Sequence, residues 1–270
     1  MSQAQRPRVM GIVNVTPDSF SDGGRFFDPA EGIEHARRLI AQGADILDVG
    51  GESTRPGATP VSAFDEILRV VPVIEAIASA SAVPISIDTM KPEVARAAVK
   101  AGATIWNDVS ALRYSPDAPE VAAELGCEVV LMHMLGEPGT MQQAPAYDDV
   151  VAEVEAFLLA RAFTAMAAGV AKDRIWLDPG VGFGKTTAHN LALLAALPRF
   201  VALGYPILLG ASRKRFIVGV DPSAREARDR LGGSLAAHLA GADAGVAAVR
   251  VHDVRETVQA LDVRAAITGA

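Results

Sequence analysis

The sequence is sparing with residues on which several protein classes depend. Among its 270 residues there is one cysteine, Cys127, so no disulfide can form within the chain and a reducing compartment is expected. Positive charge is the minority sign, with 25 Lys and Arg against 32 Asp and Glu and a formal net charge of -7. Nucleic-acid binding rests on a surplus of cations facing the phosphate backbone, so this balance argues against that class while leaving room for a local anion pocket. No apolar run reaches the roughly 18 residues of a membrane span. The N-terminal MSQAQRPR lacks the apolar centre of a secretion signal. A cytoplasmic protein with no membrane or nucleic-acid partner is expected. Zinc-spaced Cys/His clusters, a Gly-x-Ser-x-Gly elbow and a helix bearing two histidines are also missing.

What is present is a large apolar fraction, 50% of residues, enough for a sizeable core. Short runs rich in Val, Ile and Leu predict strands at 9–13, 46–49, 85–87, 104–106, 128–132, 175–177, 207–209 and 246–251. Alanine-rich stretches at helical spacing predict helices at 29–42, 63–79, 92–101, 116–125, 148–168, 188–202, 227–239 and 255–267. Asp28-Pro29 and Ser115-Pro116 read as N-cap and first-turn pairs. Strands that are apolar in both phases suggest parallel strands covered on both faces. Eight such units predict an α/β fold, a (β/α)8 TIM barrel spanning residues 1–270 as one catalytic domain, with an open doubly wound sheet as the alternative.

The connections point the same way. Those from helix to strand are brief and carry a glycine suited to a helix C-cap: Gly43, Gly102, Gly126, Gly169, Gly204 and Gly241. Those from strand to helix, at 14–27, 50–62, 133–147 and 210–225, are long and polar. Barrel active sites lie at the strands' carboxyl ends, which is the elaborate side. There the sequence offers Asn14, then 50–55, Asp88, Asn107-Asp108, His133, Asp178, Ser212-Arg213-Lys214, and Arg250 with His252. Any one of these could be structural; Asp88 could cap a helix, and His133 reads as a satisfied core residue. Their convergence on one rim is harder to explain that way.

The segment Gly180-Val181-Gly182-Phe183-Gly184-Lys185-Thr186 is spaced neither as a phosphate loop nor as a dinucleotide fingerprint. It reads instead as a rigid glycine turn beside the carboxylate of Asp178. Asp88, Asp178 and Asn107 can together meet a flat heterocycle bearing N–H and C=O groups. Elsewhere on the rim, Arg250 and His252 alternate on one strand and suit a phosphate or diphosphate. Carboxamide or diphosphate oxygens would suit Mg²⁺, bound loosely and through waters.

With these residues assembled, the chain resembles the dihydropteroate synthases over nearly its whole length. The matching stretches are MGIVNVTPDSFSDGG at 10–24, DVGGESTRPG at 48–57, SIDT at 86–89 and NDVS at 107–110. They continue with LMHM at 131–134, DPGVGFGKT at 178–186, GASRKRF at 210–216 and VRVHDV at 249–254. The resemblance implies condensation of (7,8-dihydropterin-6-yl)methyl diphosphate with 4-aminobenzoate to 7,8-dihydropteroate and diphosphate. It implies pterin-binding and catalytic roles for Asp88, Asp178 and Lys214, with Asn107 beside them. Asn14 is implied as the Mg²⁺ ligand, Thr54, Arg250 and His252 around the diphosphate, and Phe183, Ser212 and Pro56 around the aminobenzoate. It further implies a homodimer and, from Phe20, Thr54 and Pro56, competitive inhibition by sulfonamides. The segment 135–142, LGEPGTMQ, departs from the family's usual loop. The alternatives are a pterin-dependent corrinoid methyltransferase, which needs no diphosphate set, and a non-catalytic pterin-binding paralogue, which would have lost a strand-end residue.

Overall fold

The structure, a computed structural model, describes residues 6–16, 29–53, 59–136 and 139–269. Its strands are β1 (Arg8–Asn14), β2 (Ile46–Gly50), β3 (Ile85–Asp88), β4 (Ile105–Asp108), β5 (Glu128–Met132), β6 (Ile175–Asp178), β7 (Leu208–Leu209) and β8 (Ala248–Val251). They pair in parallel in the order β6-β5-β4-β3-β2-β1-β8-β7. A parallel bridge between Leu177 and Ile207 brings the two outer strands together. With helices between the strands, this is the (β/α)8 barrel and not the open sheet. Met10 pairs with Ile46, Asp48 with Ser86, and Ile105 with Glu128, the progressive stagger that barrel closure requires.

The two phases of each strand serve different cores, because successive side chains point to opposite faces. One phase, including Val9, Leu47, Ile87, Trp106, Leu131 and Val249, packs outward against the helices. The other fills the barrel, where Met10, Ile46, Ile105, Val130, Trp176, Leu208 and Ala248 form a separate apolar layer. At the amino end the Arg8 guanidinium lies 4.5 Å from the Trp176 ring, whose Nε1 donates to Glu128. Two residues further along, the same inward phase carries Asp48, Asp88, Asn107, Met132, Asp178 and Arg250. The barrel interior is thus apolar in the middle and ionic at its carboxyl end.

The helices are α1 (Pro29–Ala41), α2 (Ala63–Ala80), α3 (Pro92–Ala101), α4 (Ala118–Leu125), α5 (Val150–Ala167), α6 (Thr187–Ala195), α7 (Leu197–Val201), α8 (Phe216–Val220), α9 (Leu231–Ala244) and α10 (Val254–Gly269). Local chemistry sets several starts. The Ser62 hydroxyl accepts from the Asp65 N–H, Asp149 accepts from Val151 and Ala152, and Thr186 and His189 cap each other reciprocally. Among the described residues no helix is long and apolar enough to cross a membrane.

Four local expectations are corrected. Ser115-Pro116 does not start α4: Asp117 holds the cap position and Pro119 lies in the first turn. The other pair is only half described, since Asp28 lies outside the described residues, while Pro29 does begin α1. The helix expected at 188–202 divides at Ala196, because Pro198 has no N–H to continue the first helix and opens a second. Helix α8 forms inside what reads as a loop. Gly241 is no C-cap: it lies within α9, which ends at Gly245 in the left-handed conformation (φ 86°).

The two glycines therefore meet different demands. A Cβ on Gly241 would lie 2.6 Å from Leu209 Cδ2, so glycine there lets α9 approach β7. Gly245→Ala should lower stability by about 1 kcal/mol through its left-handed backbone, and Gly245→Asn by less. Gly241→Ala should be the more damaging change, through overpacking. Urea melts read both, and equal midpoints for wild type and Gly241→Ala would contradict the close approach.

Candidate functional site

The ionic end of the barrel is built from strand ends. β3 delivers Asp88, β4 delivers Asn107, β2 delivers Asp48 and β8 delivers Arg250. The Arg250 guanidinium joins them, with Nε donating to Asp48 Oδ2 at 2.6 Å and Nη2 to Asp88 Oδ2 at 2.7 Å. Asn107 Nδ2 faces both Asp48 oxygens at 3.4 and 3.3 Å. The other Asp88 oxygen, Oδ1, is buried with no hydrogen-bond partner among the described residues. Burial pushes the Asp88 carboxyl up to about 7 against the pull of Arg250, and the charge of Asp48 adds to the push. Asp108, grouped with Asn107 in the sequence, has a different task. Its oxygens accept from the Ser110 and Leu112 N–H groups, each at 2.7 Å, bracing Ala111 and Leu112 in left-handed backbone.

After β6 the chain makes the glycine turn. Asp178 Oδ1 accepts from the Gly180 N–H at 2.7 Å, while burial raises its carboxyl above the ordinary range. Gly180, Gly182 and Gly184 all have positive φ, and a Cβ on Gly180 would sit 1.9 Å from the His133 carbonyl oxygen. Lys185 holds the turn from beneath. Its buried ammonium meets His133 Nδ1 at 2.9 Å and the carbonyls of Gly180, Phe183 and His133 at 3.0, 2.9 and 3.3 Å. Burial lowers the Lys185 amine to about 7, and burial with the Lys185 charge lowers His133 to about 3. Asn190 Oδ1 accepts from the Gly182 N–H, and the Tyr147 hydroxyl donates to the Gly184 carbonyl. Asp178 and Phe183 are thereby presented on a turn tied at nearly every residue.

The ends of β7 and β8 supply the rest. Lys214 Nζ stands 4.0 Å from the centre of the Phe183 ring, a cation–π contact. Ser212 Oγ accepts the His252 N–H and lies 3.0 Å from His252 Nδ1. Burial, then Arg250 and Arg213, lowers His252 to about 3, so it is a neutral imidazole at physiological pH. Arg213 is turned aside into an ion pair with Asp253.

Asp88, Asn107, Asp178, Lys214, Phe183, Ser212, Arg250 and His252 thus gather at one mouth, with Asn14 at the end of β1 among them. Thr54 and Pro56, with Phe20 and residues 137–138 of the departing loop, lie outside the described residues. One expectation is corrected. Arg250 does not stand on a separate part of the rim but is bound to the acids. Asp48 and Lys185 escaped the sequence reading. The signal for Asp48 was a carboxylate inside an apolar strand, in phase with Gly50; that for Lys185 was a lysine directly after a glycine turn.

Comparison with known proteins agrees with this geometry. The family described as "Pterin binding enzyme" matches residues 10–252. Dihydropteroate synthase of Escherichia coli strain K12 is 52% identical over 260 residues, covering 95% of this chain and 90% of that protein. Xanthomonas albilineans dihydropteroate synthase, solved with 4-aminobenzoic acid, superposes with a TM-score of 0.92 at 54% identity, covering 99% of this chain and 95% of that one. The Yersinia pestis enzyme in a sulfonamide drug complex gives a TM-score of 0.93 at 44% identity, covering 99% and 96%.

The carboxyl of Asp88 makes a pH prediction. Its value of about 7 lies above the 3.8 of an unperturbed aspartate, so the folded state binds this proton more tightly than the unfolded one. The resulting stabilisation is fully present below about pH 4 and is lost as pH rises through about 7. Asp88→Asn removes the titration. Thermal melts should therefore show its midpoint, relative to wild type, moving in the variant's favour across that window; a constant difference would contradict the shift.

Proposed function

The chain belongs to the dihydropteroate synthase family, and from that premise we propose how its residues carry out the reaction. It is a transferase that condenses (7,8-dihydropterin-6-yl)methyl diphosphate with 4-aminobenzoate, forming 7,8-dihydropteroate and diphosphate. The observation that carries the site assignment is the row of buried acceptors at the barrel mouth, with Asp88 Oδ1 left unpartnered. A buried acceptor without a donor is costly, and the donor-bearing edge of a reduced pterin would supply what is missing. We assign Asp88, Asp178 and Asn107 to that edge, with Lys214 beside the ring system.

The chemistry follows from which charges develop. An arylamine is a weak nucleophile, and diphosphate is a good leaving group once neutralised. Loss of diphosphate first, an SN1-like course, leaves a methylene cation conjugated with the pterin. Asp88 and Asp178 are positioned to stabilise that positive charge. Arg250 supports the leaving group, with Nη1 unpartnered among the described residues, and neutral His252 can donate a hydrogen bond to a phosphate oxygen. Thr54 is assigned beside them by family likeness. Phe183, Ser212 and, by likeness, Pro56 would hold the aminobenzoate, with Lys214 next to the Phe183 ring.

Mg²⁺ fits the donor set. Asn14 offers a hard carboxamide oxygen at the end of β1, and among the described residues no cluster of His, Cys, Asp or Glu competes as a metal cage. One protein oxygen is enough when substrate phosphates and water complete the shell. When bound, the ion supplies charge neutralisation to the diphosphate. We further propose that residues 1–270 act as one cytoplasmic catalytic domain and work as a homodimer.

The test is diphosphate release on mixing protein, Mg²⁺, the pterin diphosphate and 4-aminobenzoate, each omitted in turn. Release should require all components and match dihydropteroate formed; pterin binding without turnover would refute the reading. Asp88→Asn should lower kcat by about a hundredfold while weakening ground-state binding far less, and equal effects on both would remove Asp88 from the transition state. Sulfonamides should raise the apparent KM for 4-aminobenzoate without changing kcat; inhibition insensitive to that substrate would contradict a shared pocket.

A further inference from the structure

Asp48 occupies a place in the site that none of these roles uses. It is fully buried within β2, below the rim, and its carboxylate joins two rim residues. Oδ2 receives Arg250 Nε at 2.6 Å, and both oxygens face Asn107 Nδ2 at 3.4 and 3.3 Å. An ionised carboxylate only accepts hydrogen bonds. Asn107 must therefore turn its NH2 toward Asp48, which leaves Oδ1 as the atom available to a ligand. Arg250 is gripped at Nε by Asp48 and at Nη2 by Asp88, and two contacts on a planar group fix its orientation.

We propose that Asp48 is the positioning residue that sets the hydrogen-bond polarity of the pterin pocket. By holding the Asn107 amide it makes Asn107 Oδ1, Asp88 and Asp178 one continuous wall of acceptors. By holding Arg250 it keeps a cation against Asp88, so that the wall is not an uncompensated cluster of negative charge. The inference rests on the pterin reading of this pocket. A neutral carboxamide at position 48 could present either its oxygen or its nitrogen to Asn107. The Asn107 amide would then be free to turn over and set its NH2 against the N–H groups of the ligand, leaving donors facing donors.

The probe is 6-hydroxymethyl-7,8-dihydropterin, which carries no diphosphate, so its affinity reports the heterocycle pocket alone. Binding is read by calorimetry, and a thermal melt checks the fold of each variant. Asp48→Asn should weaken binding about tenfold, from an amide no longer held in one orientation. Asn107→Asp, which sets two carboxylates face to face, should weaken it at least as much. The double variant Asp48→Asn with Asn107→Asp exchanges the two groups at constant total charge. There the carboxamide at position 48 can donate to the new carboxylate, and an acceptor again faces the ligand. Its affinity should return to within about threefold of wild type, a partner-specific rescue that a merely structural role for Asp48 does not produce. Asn107→Ala separates the two levels of the argument. If it binds like wild type, the pocket reading fails and the proposal with it. If it is weakened while folded Asp48→Asn binds like wild type, the proposal alone is overturned. If Asp48→Asn does not fold, the double variant decides: affinity near wild type upholds the proposal, and affinity no better than that of Asn107→Asp overturns it.

Discussion

Arg250 is one half-buried cation shared between the fully buried carboxylate of Asp48 and the partly buried one of Asp88, and the arrangement of the barrel mouth depends on that sharing. A carboxylate drawn into an apolar interior loses hydration worth several kcal/mol unless it is paired. The layer beneath the mouth, from Met10 to Trp176, is apolar and offers no compensation. The acids must therefore be balanced laterally, across strands. The parallel register of the sheet brings β8 alongside β1, close enough for Arg250 to reach β2 and β3. Pairing of β8 with β1 and assembly of the charge network are in this sense the same event.

The second organising group is the turn at 180–184, where backbone conformation replaces side-chain bulk. The three glycines let the chain fold back over His133 and Leu135, and a methyl group at any of them would collide with a neighbour. Lys185 compensates by satisfying the carbonyls that this fold-back buries, including those of Gly180 and Phe183. With Asn190 and Tyr147 it leaves the turn little freedom, which is what a site needs if Asp178 and Phe183 are to meet a ligand without reorganising.

The strands and their parallel order were legible because each is apolar in both phases, the pattern of a sheet covered on two sides. The candidate site was legible where polar groups sit at strand ends, as Asp88, Asn107, Asp178 and Lys214 do. Asp48 was not, because attention to the ends passes over a carboxylate inside Ile46–Gly50, although its phase already pointed inward. Lys185 was read only against a phosphate-loop spacing that it does not satisfy. Gly241 has the composition of a cap but is governed by Leu209, a contact between elements that no local pattern encodes. Arg250 looked like a separate anion site because its partners are distant in sequence, and only the pairing of β8 with β1 brings them together.

The way the barrel closes bears on its dynamics. β7 has only two residues, pairs briefly with β8, and meets β6 through a single bridge. A seam with so few backbone hydrogen bonds is where the cylinder opens most cheaply. On one side of that seam stands Asp178, and beyond the other lie Ser212 and Lys214. Transient separation there would widen the site between the acid and the lysine without disturbing the pairing of Asp48, Asp88 and Arg250. Preorganisation thereby belongs to each wall of the pocket, and compliance to the seam between two of them.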